Sequence, residues 1–445
     1  MISRIVTYFH LDGTKQKIAR NLLWALTGKM VTLLGSFLVG IIVARYLGPA
    51  QYGIMSYVIS YIAIFQVIAS FGMEGIEIRE EAKEGADRNE LVGTAFTLKC
   101  ALAMLTIGIT SVTVMITEQE SYVRWLIMLY SLSMVLNSFS VIRNYFTALI
   151  WNEYVVKTEI MRTLIGAGVK IALLLCKAPL VWFIVALLFD SFLIASGYVM
   201  AYQKKIASIR KWRFDTATAR YYIHQSFPLF LSALMTIVYL KIDQLMIGNM
   251  LNKTSTGIYA IAYTFVEIFI FIPTILAQTI SPVLVTYYDH DRTIYRQKAQ
   301  VFMNITTWLC ILLSVLISLA SPLIIRYSYG AQYIAAVPIL QILIFRLVGV
   351  SGALISGQMI IIEQTQKYAI LRNTAACIVC IVLNLLLLPR YGLYGAAVSA
   401  VVTSLFPGFI IHLFIPAYRP IFKQQIRCLV YGWKDFIFAP KIIRS

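Results

Sequence analysis

Seven charged side chains stand inside long apolar stretches of this chain, where charge is unfavourable. They are Lys29, Lys170, Asp190, Lys241, Asp243, Glu267 and Arg346. A charged group at the centre of a bilayer costs at least about 2.5–3.5 kcal/mol when it faces lipid. We therefore expect each of the seven to face a charged partner or a water-filled cavity. These seven are the candidate residues for binding a substrate or a coupling ion.

The four cations of this set suit a large anionic ligand. Lys29, Lys170, Lys241 and Arg346 outnumber the acids, and an excess of positive charge favours a group such as phosphate. Arg346 and Lys29 are the strongest candidate contacts, because each is isolated in a long apolar helix. At 1.5 Å per residue, Lys29 should lie roughly 10 Å in from the cytoplasmic end of its helix.

The three acids suit either a coupling cation or internal ion pairs. Asp190, Asp243 and Glu267 should lie near the membrane midplane, where a carboxylate must be paired, protonated or ion-bound. Lys241 and Asp243 are two residues apart, about 200° around a helix, so they cannot both face one cavity. One of these two is therefore expected to be structural.

Membrane-spanning helices must position these residues. Hydrophobic residues make up 60% of the 445 and charged residues 13%. A spanning helix needs about 20 apolar residues, and twelve such stretches follow one another. The sequence therefore predicts an all-α integral membrane protein. The twelve predicted spans are Leu22–Ala44, Tyr52–Met73, Leu91–Thr117, Tyr122–Ile150, Tyr154–Cys176, Ala178–Tyr202, Tyr222–Leu251, Gly257–Tyr287, Val301–Ile325, Tyr333–Ile362, Tyr368–Leu388 and Tyr391–Pro416.

The distribution of Lys and Arg predicts the orientation. Twenty-seven of the 38 fall on one side of the predicted spans and six on the other. Because basic residues accumulate in cytoplasmic loops, both termini are expected in the cytoplasm. The net charge of +18 then comes mainly from basic cytoplasmic loops, which anionic lipid headgroups attract. Nucleic acid is not expected as a partner. No cleavable signal is expected, since no small-residue cleavage site follows an early apolar run.

The chain contains an internal repeat. Leu47 and Gly53 match Leu251 and Gly257 at an offset of 204 residues. Lys157-x-x-Ile-Met-Arg then matches Lys367-x-x-Ile-Leu-Arg, and Pro179 matches Pro389, at an offset of 210. Because each copy holds an even number of helices, the two copies should be related by an axis along the membrane normal.

The repeat predicts two parallel six-helix lobes around a central cavity, an arrangement typical of alternating access. The predicted parts are an N-terminal arm (1–21), an N-lobe (22–202), a basic linker (203–221), a C-lobe (222–416) and a cytoplasmic tail (417–445). A channel is the competing reading, but it would more naturally be an oligomer of short chains. Pro179 and Pro389 should occupy equivalent sites at the outer starts of the sixth and twelfth helices.

Three other segments have simpler interpretations. The acid-rich break Glu74–Glu90 holds seven acids and three bases and is expected to be a solvated cytoplasmic loop. Cys377-x-x-Cys380 has the spacing of a metal or redox pair but no second pair and no nearby His, so packing thiols are expected. Ile421–Phe438 is amphipathic. No catalytic, metal or cofactor-binding arrangement is visible, so an enzyme is not predicted.

The ordered motifs resemble one family. Ala44-Arg-Tyr-Leu-Gly-Pro49-x-x-Tyr-Gly53 looks like the signature of polysaccharide-export flippases of the multidrug/oligosaccharidyl-lipid/polysaccharide flippase superfamily. The likeness recurs in Lys241-Ile-Asp243-Gln-Leu-Met-Ile-Gly248 and in Gly257-Ile-Tyr259 through Glu267. It ends in Asn384 and the run Pro389-x-x-Gly392-x-x-Gly395-Ala-Ala397, so that it covers nearly the whole chain.

The resemblance implies a function. Such a protein flips undecaprenyl-diphosphate-linked oligosaccharide units, as for O-antigen, capsule or exopolysaccharide, across the bacterial cytoplasmic membrane. Lys29, Lys170 and Arg346 would match the cationic cavity lining of the family, and Asp243 and Glu267 match its patterned acids. A coupling cation, H⁺ or Na⁺, and a polysaccharide polymerase are the implied partners, beside membrane lipid.

Two alternatives remain open at this point. A drug/cation antiporter of the same superfamily should have an acidic and aromatic cavity, whereas this one leans basic. A membrane polymerase or ligase would usually carry a large outer loop with catalytic residues, and no outer break here exceeds about ten residues.

Overall fold

The computed structural model describes the backbone from Gly13 to Ile442 and the side chains from Gly28 to Asp435. Within those residues the chain is helical and has no β-strand. The helices are α1 Gly13–Ser70, α2 Glu74–Glu81, α3 Arg88–Thr117, α4 Ser121–Ser131, α5 Ser133–Asn137, α6 Ser140–Ala148, α7 Asn152–Leu175, α8 Leu180–Lys205, α9 Thr216–Met250, α10 Lys253–His290, α11 Arg292–Ser328, α12 Ala336–Leu343, α13 Arg346–Ile362, α14 Ala369–Leu405, α15 Ile411–Phe414 and α16 Arg419–Ile442.

Two of these helices contain a bend that separates two predicted spans. Gly48 interrupts α1 with φ 70° and ψ 171°, and Pro49 follows it. Gly392 interrupts α14 with φ 56° and ψ −136°, three residues after Pro389. Both conformations have a positive φ and are nearly restricted to glycine, because in any other residue the Cβ atom would be too close to the residue's own backbone. The predicted breaks between spans 1 and 2 and between spans 11 and 12 are therefore sharp bends.

The membrane architecture follows from helix length and apolarity. Nine helical segments among the described residues are long and apolar enough to cross a membrane. Two of them, Gly28–Glu81 and Gln366–Phe414, each cover two predicted spans. The fifth predicted span corresponds to α7, which is not among the nine and carries several charged residues. The all-α integral membrane fold is thus confirmed, whereas the count of twelve stays a prediction.

The chain divides into two compact units. The first contains the chain as far as Leu47 and the stretch Val58–Leu234, and the second contains Gly48–Tyr57 and everything from Met235 onward. This division resembles the predicted lobes but differs at their edges. Gly48–Tyr57 belongs to the second unit, and α9 belongs to the first unit as far as Leu234 and to the second from Met235 onward. The predicted lobe boundaries remain predictions.

The first unit has a core formed where its helices meet the basic linker. Met73, Val92, Phe146 and Tyr202 are buried in this core. The linker is docked against the start of α3, since the Arg213 N–H donates to the Asn89 carbonyl at 3.2 Å. An added Cβ at Gly93 would meet the Arg213 backbone, so glycine permits this close approach.

The second unit ends in a helix that packs along α11. The amphipathic stretch predicted from Ile421 lies within α16. Trp308 Nε1 donates to the Cys428 carbonyl at 2.9 Å, and Asn304 Nδ2 donates to Asp435 Oδ2 at 2.6 Å. Gly432 lies directly against Trp308 and Asn304, where any larger residue would collide. These polar contacts fix the register of α16 on α11.

Candidate functional site

Asp243 is the most enclosed acid of the predicted site. Its side chain on α9 is only 1% exposed. Three side chains donate to it: Asn384 Nδ2 at 2.7 Å and Cys380 Sγ at 3.3 Å to Oδ1, and the Tyr259 hydroxyl at 3.1 Å to Oδ2. Hydrogen bonds to a carboxylate favour its charged form, whereas burial opposes that form. The donors come from α10 and α14, so three helices meet at this carboxylate.

Asp243 has hydrogen bonds but no ion pair in the described part of the chain. The Asn384 Oδ1 atom beside it is also buried and lacks a partner. Carboxylate and amide oxygens are suitable ligands for a proton or a hard monovalent cation. The described residues contain no group of three His, Cys, Asp or Glu side chains that could hold a metal.

Arg346 is a buried cation with no ion pair among the described residues, although the Asp243 carboxylate lies close enough to interact with its charge. Its side chain is 2% exposed, and its Nε and Nη1 atoms are buried without a hydrogen-bond partner. It begins α13 after a tighter turn, in which the Leu347 N–H bonds the Ile344 carbonyl at 3.0 Å. Such 3₁₀ turns inside a long helix often mark functional sites. An unpaired buried guanidinium favours the binding of an anion.

Two cations, Arg346 and Lys241, lie close to the aromatic ring of Tyr263. The Arg346 guanidinium carbon lies 5.0 Å from the Tyr263 ring centroid, and Lys241 Nζ lies 4.7 Å from the same centroid. Lys241 also forms an ion pair with Glu267, with Nζ and Oε1 3.1 Å apart. The Glu267 side chain is about half exposed, so this pair is partly solvated. Arg346 is thus the cation of the cluster that has no ion pair among the described residues, and the nearby Asp243 carboxylate offsets part of its charge.

The second unit therefore brings together four of the seven residues predicted from sequence. Lys241, Asp243, Glu267 and Arg346 lie around the Tyr259–Tyr263 turn of α10, whose rings are stacked with centroids 6.2 Å apart. Lys241 and Asp243 have different direct partners, Glu267 for Lys241 and Tyr259, Cys380 and Asn384 for Asp243; that only one of them faces a cavity stays a prediction.

The other three predicted residues lie in the first unit. Lys170 Nζ on α7 and Asp190 Oδ2 on α8 are 2.5 Å apart and form an ion pair. Gly166 allows this approach, because a Cβ there would overlap the Asp190 carboxylate. Lys29 on α1 is exposed and has no recorded partner among the described residues. Lys170 and Asp190 thus compensate each other, whereas Lys29 and Arg346 belong to different units.

Sequence reasoning missed several residues of these clusters. Lys99, the one charged residue of the third predicted span, forms a buried ion pair with Glu77 at 2.7 Å. Arg372 on α14 has buried Nε and Nη1 atoms without partners. Both carry the signal used for the other seven, namely a charge within an apolar stretch. Tyr263 carried no such signal, because aromatic residues are abundant here.

One sequence prediction was wrong. The break Glu74–Glu90 was expected to be solvated, yet Glu77, Glu80 and Glu81 are buried in α2. The high charge of the segment concealed its helical periodicity. Ile76 and Glu80, and likewise Glu77 and Glu81, are four residues apart and therefore share a helix face.

Comparisons with known proteins were made on sequence and on structure. Residues 18–288 match the family described as "Polysaccharide biosynthesis protein". The comparison with curated proteins found no match. The fold is similar to an inward-facing multidrug resistance MATE family transporter of the MOP superfamily, with a TM-score of 0.67 and 14% identity over 89% of this chain and 94% of that chain.

Two further solved structures have the same fold. The lipid II flippase MurJ in an inward closed conformation gives a TM-score of 0.67 and 15% identity, over 95% of this chain and 96% of that chain. A MOP superfamily transporter from Pyrococcus furiosus gives 0.57 and 14% identity, over 93% of this chain and 96% of that chain. At these identities the likeness establishes the fold alone.

Proposed function

The chain belongs to the family of polysaccharide biosynthesis proteins within the MOP flippase superfamily, and we propose that it flips lipid-linked oligosaccharides. The family and the structural neighbours are transporters and flippases rather than enzymes. The proposed substrate is an undecaprenyl-diphosphate-linked repeat unit for O-antigen, capsule or exopolysaccharide assembly. The unit would cross the bacterial cytoplasmic membrane by alternating access, with both termini of the protein in the cytoplasm.

The observation that carries this proposal is the unpaired, buried Arg346. A diphosphate supplies acceptors for the two guanidinium nitrogens that have no hydrogen-bond partner among the described residues, and the planar fork of Arg can hold two phosphate oxygens at once. Lys241, close to the same Tyr263 ring and paired with the half-exposed Glu267, is the second cation near this position. Lys29 and Lys170 are proposed as further contacts, Lys170 only after its pair with Asp190 opens.

The proposed energy source is a cation, H⁺ or Na⁺, bound at Asp243. The three donors around this carboxylate would have to rearrange when the cation enters. Glu267 is a second proposed coupling residue because it is partly exposed beside Lys241. Asp190 is the weakest of the three proposed coupling residues, since Lys170 already compensates its charge.

A complementation experiment tests the proposed function. A strain lacking the gene should lose surface polysaccharide while the lipid-linked unit accumulates on the cytoplasmic side. Arg346→Ala should fail to restore export, and Arg346→Lys should restore part of it, because the charge survives but the fork does not. Arg326→Ala, at an exposed arginine of α11, is the matched control and should export normally.

The same strain separates the alternatives. Unpolymerised units displayed on the outer surface would indicate a polymerase or ligase and would overturn the proposal. A drug/cation antiporter is favoured by the fold similarity to MATE transporters. It would give increased sensitivity to organic cations with unchanged surface polysaccharide. The positive charge of Arg346 and Lys241 around Tyr263 argues against an organic cation at that position.

A further inference from the structure

Helix α2 carries three glutamates on its buried side within two turns. Glu77, Glu80 and Glu81 are each less than one-tenth exposed. A buried carboxylate requires a positive partner or several hydrogen-bond donors to remain charged. The three glutamates differ in the number of positive partners and hydrogen-bond donors that surround their carboxylates.

Glu77 is fully compensated. Lys99 Nζ from α3 lies 2.7 Å from Glu77 Oε1 and 2.9 Å from Oε2. Asn144 Nδ2 from α6 donates to Oε2 at 2.5 Å. The Lys99 charge is therefore neutralised by Glu77, and Lys99 itself is only 2% exposed. This pair holds α2 against α3 and α6.

Glu80 is also compensated, at the edge of the unit. Arg79 Nε lies 3.0 Å from its Oε1, and the Tyr221 hydroxyl donates to the same oxygen at 2.8 Å. Lys83 pairs with its other oxygen. Glu80 can therefore remain charged.

Glu81 has no such partner. Its side chain is fully enclosed, and neither carboxylate oxygen has a hydrogen bond or ion pair with any described residue. Two carboxylates on adjacent turns thus share one lysine, and that lysine is paired with Glu77. An uncompensated carboxylate in this place would cost several kcal/mol, so the surroundings favour the neutral form of the Glu81 carboxyl group.

The surroundings of Glu81 are aromatic and polar. The Tyr222 hydroxyl is likewise buried without a partner. The charged and titratable side chains that interact with Glu81 are Glu77 from α2, Arg88 and Lys99 from α3, Tyr145 from α6, Tyr202 from α8 and Tyr222 from α9. Among the described residues, the cations that interact with Glu81 are Lys99, which is paired with Glu77, and Arg88, which is exposed and also interacts with Tyr145.

We propose that Glu81 is a proton-binding site of the first unit, occupied while α2 is packed and released when α2 opens to water. Binding joins one proton from water to one carboxylate oxygen, and release returns it to water, with no other bond changed. The chain bends immediately before α2, at Phe71 (φ 50°) and Gly72 (φ 63°). Rotation at those two residues would move α2 relative to α1 and expose the carboxyl.

A purely structural role does not explain why a carboxyl group, rather than an apolar side chain, occupies the position of Glu81. An apolar side chain of similar size would fill the same enclosed volume without the desolvation of a carboxyl group. A neutral carboxyl group adds only the ability to take up and release a proton. The site is separate from Asp243, which lies in the second unit, and proton binding by itself does not depend on the proposed substrate. A link between this proton and transport rests on the proposed function.

Infrared spectroscopy of the full-length protein in lipid nanodiscs tests the proposal. At neutral pH the wild-type protein should give the C=O band of a protonated carboxyl group, which shifts in D₂O. Glu81→Gln should remove one carboxyl from this band. Glu84→Gln, at an exposed acid three residues further along, should leave the band unchanged. A band that is equal in wild type and Glu81→Gln would overturn the proposal.

Thermal stability supplies an independent measurement. Glu81→Gln replaces a neutral carboxyl with a neutral amide and should leave the melting temperature at neutral pH almost unchanged. Glu77→Gln should lower it clearly, because Lys99 would then be buried without a counter-ion. Equal losses in the two variants would mean that both acids are charged, which contradicts the proposal. If the wild-type protein flips no lipid-linked sugar but the infrared result holds, the proposed function fails and the proton site stands.

Discussion

Gly53 and Gly257 lie against each other at one helix crossing, each beside the backbone of the other's segment. A Cβ at Gly53 would overlap the carbonyl oxygen of Lys253, and a Cβ at Gly257 would overlap the carbonyl oxygen of Pro49. Each overlapped carbonyl lies four residues before the opposite glycine. The contact therefore joins equivalent positions of the predicted repeat at its offset of 204 residues; the two-fold relation between the two copies stays a prediction.

Alanine at either glycine should destabilise the second unit. Backbone atoms rather than flexible side chains fill the space, so the two segments would have to separate. We expect a loss of about 1–3 kcal/mol or more for Gly53→Ala and for Gly257→Ala, measured as a lower melting temperature and lower expression. Gly40→Ala on the same helix α1 is the control, because a Cβ there meets nothing within 4 Å. Equal stability of all three variants would contradict the crossing.

These glycines show what the sequence could predict. The spans were evident because twenty apolar residues have few alternatives to a membrane helix. The repeat was detectable because both copies keep glycine where two backbones touch. The breaks between spans 1 and 2 and between spans 11 and 12 were predicted from the interrupted apolar pattern, whereas the bends at Gly48 and Gly392 were seen only in the structure.

The sequence could not predict which charged side chains form ion pairs with each other. Lys170 and Asp190 were predicted as separate site residues, yet they neutralise each other across α7 and α8. Which acid meets which base depends on helix rotation and on gaps such as that at Gly166, and neither is encoded in spacing along one helix. Glu77 was assigned to solvent because its segment is highly charged, although its partner Lys99 lies in the next span.

The Lys170–Asp190 pair should contribute more to stability than the Lys241–Glu267 pair. Both side chains of the first pair are at least four-fifths buried, whereas Glu267 is half exposed. A double-mutant cycle with Lys170→Met and Asp190→Asn should give a coupling of about 1–3 kcal/mol. The cycle Lys241→Met with Glu267→Gln should stay below about 1 kcal/mol. The reverse order would show that Lys170 and Asp190 do not remain paired.

The Asp243→Asn variant should separate coupling from folding. The amide keeps the size of the side chain, and its oxygen can still accept from Asn384 while its NH2 group donates to the Tyr259 hydroxyl, but it cannot bind a proton or balance a cation. We expect near-normal expression, retained binding of the lipid-linked substrate and loss of ion-driven export. Asp289→Asn, at an exposed acid near the end of α10, is the matched control and should behave as wild type.

Measuring protein level and surface polysaccharide together decides the role of Asp243. Low expression with proportionate loss of export would mean that the carboxylate is structural. Normal expression with normal export would remove Asp243 from the coupling mechanism and leave Glu267 as the next residue to test by Glu267→Gln.

Two cysteines should report the orientation of the protein and the packing of α16. Cys176 follows α7 on the predicted outer side and is exposed. Cys428 is buried on α16, on the predicted cytoplasmic side, and burial raises the pKa of its thiol to about 11. Because the thiolate is the reactive form, Cys428 should stay unreactive near neutral pH even where reagent can reach that side of the membrane.

A membrane-impermeant maleimide, with labelled peptides identified by mass spectrometry, tests both expectations without any substitution. Intact cells should label Cys176, and inside-out vesicles should label neither Cys176 nor Cys428. Denaturant should then make both thiols reactive, which serves as the internal control. Labelling of Cys176 from the vesicle exterior alone would reverse the predicted orientation. Rapid labelling of native Cys428 would mean that α16 leaves α11, because the contact of Trp308 with the Cys428 carbonyl could not persist.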